Sequence, residues 1–132
     1  LFASTHQMPL YPGTGSPSEG GAHHNILNHP LRAGTGSAAM RAAYENHILP
    51  ALDAYAPQFL LISAGFDAHQ DDPLASLDWQ TADYAWLTRR LCDIADRHAH
   101  GRIVSTLEGG YDLPALQASV AAHVGVLEER GR

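Results

Sequence analysis

The stretch Phe59-Leu60-Leu61-Ile62-Ser63-Ala64-Gly65-Phe66-Asp67-Ala68-His69 decides how this chain is read. Its opening apolar run, Phe59 to Ile62, is short and reads as a buried strand. Gly65 then opens a turn, and Asp67 stands just past the strand's carboxyl end. A second stretch repeats the arrangement: the β-branched run Ile103 to Leu107 leads into Glu108-Gly109-Gly110-Tyr111-Asp112. If the two strands run parallel, the Asp67 carboxylate and the Tyr111 phenol emerge on one edge of one sheet. Open α/β folds place their ligands at that edge.

Working outward, Leu1 to Thr5 reads as the tail of a further strand. Residues His6 to Gly36 are rich in Gly, Pro, Ser and His without periodicity and read as one long loop; loops of that length are commonly functional. Met40, Tyr44, Ile48, Leu52 and Tyr55 recur at helical spacing, with Pro50 predicting a kink or a break into two short helices. A second helix carries Tyr84, Leu87, Leu91, Ile94 and His98, with Thr81 as N-cap and Gly101 as terminator. A third starts at Asp112 and Pro114 and shows Leu116, Val120, Val124 and Leu127 on one face. Strands alternating with helices imply parallel pairing through right-handed crossovers, hence an α/β fold.

Composition narrows the class. At 132 residues the chain is long enough for one domain with a real core, and 45% apolar with 17% charged residues argues against disorder. Its 8 basic residues are scattered against 14 acidic ones, which excludes a nucleic-acid-binding patch. No apolar run reaches the roughly 20 residues of a membrane span. The single cysteine, Cys92, forms no internal disulfide, fits a reducing, cytoplasmic setting, and reads as a helix-packing residue.

Taken alone, the site residues keep two readings each. Asp67 can bind a divalent metal, act as a base, or cap a turn; Asp71 and Asp72, directly before Pro73, suit the capping role better. Tyr111 can donate a hydrogen bond to a developing oxyanion or pack as an ordinary aromatic. Gly109 and Gly110 allow backbone to approach a ligand closely, but lack any phosphate-binding fingerprint. His23-His24 are adjacent and diverge, and no H-E-x-x-H or cysteine pair is present.

Taken together, Ser63 to His69 with Asp72-Pro73-Leu74, and Leu107 to Asp112, resemble the zinc-dependent histone deacetylase family. The likeness is to its class II-like bacterial branch, which includes acetylpolyamine amidohydrolases and acetoin-utilisation proteins. Ser4-Thr5-His6, Tyr11-Pro12-Gly13-Thr14-Gly15 and Asn25 to Leu31 fit in order, so the likeness covers essentially the whole chain. The resemblance implies a three-layer α/β/α fold with a parallel sheet, arginase/deacetylase-like. Residues 1–132 would form the carboxy-terminal portion of a single catalytic domain, with the amino-terminal part missing. It implies a cytoplasmic zinc amidohydrolase that converts an acetylated amine, a protein lysine or a polyamine, to acetate and free amine.

Residue by residue, Asp67 matches a zinc ligand and Tyr111 the tyrosine that hydrogen-bonds the substrate carbonyl. Tyr11 matches an aromatic wall of the acyl-lysine channel, and Leu74 a position on its rim. Gly109 and Gly110 border the same site. Ser4 and Thr5 resemble positions that hold a structural potassium ion, through a hydroxyl and a backbone carbonyl respectively. The family's Asp-x-His ligand segment and its catalytic histidine pair normally precede these residues, and nothing in this chain matches either. One zinc ligand of three is therefore expected here, with the isolated chain inactive and part of its sheet uncovered. A non-catalytic acyl-lysine-binding or partner-binding relative is the alternative.

Overall fold

A computed structural model describes residues 1–131. Strand β1 (Phe2–Gln7) pairs in parallel with β2 (Ile26–Leu31), from Phe2 opposite Ile26 to Gln7 opposite Leu31. Strands β3 (Leu60–Ala64) and β4 (Ile103–Leu107) form a second parallel pair, from Leu60 opposite Ile103 to Ala64 opposite Leu107. Helices α1 (Ser37–Ala43), α2 (Leu49–Tyr55), α3 (Thr81–His98) and α4 (Leu113–Arg130) complete the order. The parallel pairing of β3 and β4 is the condition under which Asp67 and Tyr111 share an edge, and it is met. The architecture is α/β, as the alternation predicts.

Three expectations need correction. The region His6 to Gly36 is not one loop, because it contains β2. The sequence hides this strand behind Asn28, His29 and Pro30, which are poor strand formers. Proline is tolerated on edge strands, and among the described residues β2 pairs with β1 alone. Asn28 is buried, and its amide donates to the carbonyls of Ser16 (3.1 Å) and Glu19 (3.4 Å), so the strand also organises the segment before it.

Pro50 stands in the first turn of α2, and its region divides into two short helices, as expected. A π turn (Tyr44–Ile48) joins α1 to α2, with helical dihedrals at both junctions. In a regular helix the Pro50 ring collides with the carbonyl four residues back, at Asn46. The widened turn contains that carbonyl and accommodates the ring. The N-cap of α3 is Gln80, not Thr81: the Gln80 side chain and the Asp83 carboxylate cap each other's backbone reciprocally.

The last correction concerns α4, whose buried face is Ala115, Ser119, His123 and Val126. Leu116 and Val120 pack partly against the core beside it, while Val124 is exposed. The buried positions are small or polar, which suits close packing of α4 on α3 and hides the face from a hydrophobicity pattern. The start of α4 follows expectation, with the Asp112 carboxylate accepting the Ala115 amide at 2.9 Å.

One core cluster holds Leu31, Met40, Phe66, Leu77, Trp79 and Tyr84. The other joins Ile48, Leu52, Leu60 and Ile94 with Ala3, Leu27, Ile62 and Ile103, so both strand pairs feed it. Cys92 is buried within α3, as a packing residue should be. On the opposite face of the β3–β4 pair, Leu61 and Val104 are exposed.

His123 ties the helices to the sheet. Its Nε2 lies 2.8 Å from Ser105 Oγ, and its Nδ1 lies 2.7 Å from Thr88 Oγ1. The Thr88 hydroxyl donates to the Tyr84 carbonyl at 2.6 Å, so it accepts from His123 Nδ1–H. Nε2 is then left to accept from Ser105, which assigns the neutral Nδ1–H tautomer. Burial lowers the His123 pKa below its usual value. The folded state therefore resists protonation, and this contribution to stability is complete above the unfolded pKa of about 6.5 and is lost as pH falls through the folded value. Urea unfolding at stepped pH should show stability falling below about pH 6.5 with a component absent from His123→Gln, whose amide can keep one donor and one acceptor. Identical slopes in the two proteins would refute the assignment.

Candidate active site

Past the end of β3, backbone pairing continues into the two loops. Glu108 N donates to the Ala64 carbonyl (2.9 Å) and Phe66 N to the Gly109 carbonyl (2.8 Å). Phe66 is buried against the rings of Tyr84 and His123, at centroid distances of 5.0 and 5.8 Å. Its carbonyl accepts the Tyr84 hydroxyl at 3.0 Å and the His69 amide at 3.2 Å. Phe66 is thus held at its nitrogen, its oxygen and its ring, and Asp67 is the next residue along.

The Asp67 carboxylate is half-buried and lies directly over glycine backbone. A Cβ on Gly109 would stand 2.6 Å from Asp67 Oδ2, and one on Gly65 would stand 3.0 Å from Oδ1. A side chain at Gly109 would displace the carboxylate, and one at Gly65 would crowd it. Gly110 has φ +138°, and a Cβ there would meet Leu116 at 2.8 Å, so it closes the packing beneath the loop. Burial raises the Asp67 pKa, its own backbone amide lowers it, and the Asp72 charge raises it further. Among the described residues no cationic side chain pairs with Asp67. A half-buried carboxylate of this kind suits a cation as its partner.

Tyr111 is exposed through its ring, while its backbone is fixed. Its amide donates to Asp72 Oδ2 at 2.8 Å; Asp72 Oδ1 accepts from Leu74 N at 2.9 Å and Ala75 N at 3.3 Å. Asp72 does cap a turn, as its place before Pro73 suggests, and it also reaches Tyr111, 39 residues along the sequence. That second function has no local signal. His69, quoted only as part of its motif, is buried with Nε2 3.3 Å from Thr81 Oγ1. Tyr84 lies on the stripe that the sequence predicts for α3, but its hydroxyl bond to the Phe66 carbonyl has no local signal.

The remaining expected residues fall into a second group. Ser4 and Tyr11 line an open cavity of about 410 Å³ with His6, Glu19 and Asn28; its lining includes neither Asp67 nor Tyr111. His6 Nε2 lies 3.0 Å from the Gly15 carbonyl and must carry a proton there, leaving Nδ1 of the neutral ring to accept from the Ser4 hydroxyl at 3.0 Å. Ser4 Oγ then keeps lone pairs available for a cation. The Thr5 hydroxyl pairs with Tyr44 at 2.9 Å, which leaves only its carbonyl for such a role. Tyr11 and Leu74 are both exposed.

Among the described residues no three His, Cys, Asp or Glu side chains converge to hold a metal ion. Asp67, half-buried and without a cationic partner among the described residues, can supply one ligand. A tetrahedral zinc site needs more.

Known proteins match this chain throughout. The histone deacetylase domain matches residues 1–127. Histone deacetylase 10, chloroplastic, of Oryza sativa subsp. japonica is 44% identical over 124 residues, which are 92% of this chain and 28% of that protein. A probable deacetylase of Archaeoglobus fulgidus is 45% identical over 116 residues, 86% of this chain and 32% of that protein. The crystal structure of the HDA15 HD domain superposes with a TM-score of 0.88 at 36% identity, covering 96% of this chain and 37% of the other. This chain thus spans about a third of the length of such relatives. The arginase/deacetylase-like α/β fold that the resemblance implies is the one those solved domains adopt, and the chain belongs to the histone deacetylase domain family.

Proposed function

We propose that residues 1–132 form the carboxy-terminal portion of a catalytic domain that hydrolyses an N-acetyl amide, releasing acetate and a free amine. The observation that carries this reading is the pairing at the ends of β3 and β4. Asp67 is seated over Gly109 in a position that suits a cation, and Tyr111 is fixed by its backbone with its phenol free in solvent. The rice and Archaeoglobus relatives are named as deacetylases, which supports the same reaction class.

In this reading the Tyr111 hydroxyl donates a hydrogen bond to the amide oxygen as negative charge develops on it. Asp67 serves as one ligand of a zinc ion. The remaining ligands and a general base have no counterpart among the described residues, so this chain's own part in catalysis rests on these two groups. Tyr11 forms an aromatic wall of the acyl channel, Leu74 its rim, and Gly109 and Gly110 border the same site. Ser4 and Thr5 hold a potassium ion. Acetyl-lysine and acetylpolyamines both present the reacting group. No helix among the described residues is long and apolar enough to cross a membrane, and one buried cysteine suits a reducing cytoplasm.

The test is acetate release by the complete translation product containing this sequence, with an acetyl-lysine peptide and with an N-acetylated polyamine. Release from one of them, abolished by a chelator and restored by zinc, is the expected result. The 132-residue chain alone should fail to retain stoichiometric zinc. A complete product that binds acetyl-lysine without releasing acetate would replace this reading with the acyl-binding one.

A further inference from the structure

The carboxylate of Asp72 is not among the groups that the proposed chemistry requires, yet it is buried and accepts hydrogen bonds from three backbone amides. Two of those donors, Leu74 N and Ala75 N, belong to the loop after β3. The third, Tyr111 N, belongs to the loop after β4. A turn-capping aspartate needs only the first two. The third bond is a strut between loops that the chain separates by 39 residues.

We propose that Asp72 is a positioning residue that sets Tyr111 relative to Asp67 and Leu74, and so fixes where the phenol meets the substrate carbonyl; this rests on the deacetylase reading above. Two features make the strut necessary. The ring of Tyr111 is 56% exposed, so packing alone does not hold it. Gly109 and Gly110 precede it, and glycine gives a backbone the widest choice of dihedrals. On the other side, the loop after β3 is held at its start by the Phe66 contacts and at its end by Trp79, whose amide donates to the Ala68 carbonyl at 3.1 Å. The loop after β4 is tied on either side of Tyr111, by the Gly109 carbonyl to Phe66 N and by the Asp112 cap, and the Asp72 carboxylate adds the tie at Tyr111 itself. Charge-assisted bonds are shorter and stronger than neutral ones, which suits a residue asked to hold a backbone still.

The substitution that isolates this role is Asp72→Asn. An asparagine side chain has one carbonyl oxygen, so it can satisfy Leu74 and Ala75 and then turns its own N–H toward Tyr111 N–H, donor against donor. In amide NMR of the 132-residue chain, D72N should shift the Tyr111 resonance and speed its hydrogen exchange by tenfold or more. Leu74, Ala75 and the amides of α3 should keep their protection. Unchanged exchange at Tyr111, or loss of protection spread equally through α3, would overturn the proposal.

Turnover by the complete translation product adds a separate readout. There D72N should lower kcat about tenfold at nearly constant KM, and less than twofold in a Tyr111→Phe background where the hydroxyl it positions is gone. Equal losses in both backgrounds would mean that Asp72 acts elsewhere. If no variant and no parent releases acetate, the deacetylase reading fails, while the exchange rates still decide the strut.

Discussion

Replacing Asp83 by alanine should destabilise this protein by about 3–5 kcal/mol, the cost of breaking a buried charged pair on one side. Asp83 is fully buried, yet all of its acceptor capacity is used. One oxygen accepts from Arg41 Nε at 3.2 Å and Arg41 Nη2 at 2.9 Å; the other accepts from Ser37 Oγ at 2.5 Å and from Gln80 N at 2.9 Å. Ser37 and Arg41 come from α1, where Ser37 is the first residue, and Gln80 is the N-cap of α3. The carboxylate is therefore the pin between two helix N-termini, and its negative charge also sits favourably at the positive end of both.

Alanine leaves the Gln80 amide without its side-chain partner and Arg41 without its counter-ion. Arg41 is 39% exposed at its side chain and stacks on the Trp86 ring at 5.1 Å, so its charge can find water. Arg41→Ala instead strips the counter-ion from a carboxylate with no access to water, so it should cost at least as much as Asp83→Ala, and the double variant less than the sum of the two. Urea denaturation of the four proteins supplies the cycle. Against a total stability of roughly 5–15 kcal/mol for a domain, the Asp83 loss alone should bring much of the chain to the edge of unfolding. A change below about 1 kcal/mol would show that the pin is dispensable.

Asp83 also marks the limit of what the sequence announces. Its α1 partners, Arg41 and Ser37, are 42 and 46 residues away, and no local pattern connects them to it. The strands β3 and β4 are legible because their burial is expressed as continuous apolar runs, and Asp112 because a cap acts within four residues of itself. Strand β2 is illegible for the converse reason: it is stabilised by pairing with β1 and by Asn28 reaching back to Ser16, while its own residues argue for a turn. The buried face of α4 fails in the same way, since Ser119 and His123 are polar residues that tertiary partners satisfy. At the site, the motifs place Asp67 and Tyr111 on one edge. They do not reveal that the Asp67 carboxylate lies over Gly109, or that Asp72 reaches Tyr111. Pairing and packing decide those facts, and both are long-range.

The second large effect concerns the phenol itself. Tyr111→Phe should reduce acetate release by the complete translation product by about 10²–10³-fold in kcat, the loss seen when one donor to a developing oxyanion is removed, or about 2.7–4 kcal/mol. The substitution removes one oxygen and leaves the backbone bond to Asp72, the glycine pair and the ring in place. Since the ring is exposed and its hydroxyl has no partner among the hydrogen bonds of the described residues, stability should hardly change. That combination separates the two roles that the sequence leaves open for this residue. A packed aromatic with a satisfied hydroxyl would lose stability and little activity; an oxyanion donor loses activity alone. The loss should fall on kcat and leave KM near its parent value, because the bond strengthens only as charge accumulates on the carbonyl oxygen. Steady-state kinetics and a thermal melt of the same two preparations decide it. A variant that turns over within a factor of three of the parent would remove Tyr111 from the chemistry, whatever its place at the end of β4.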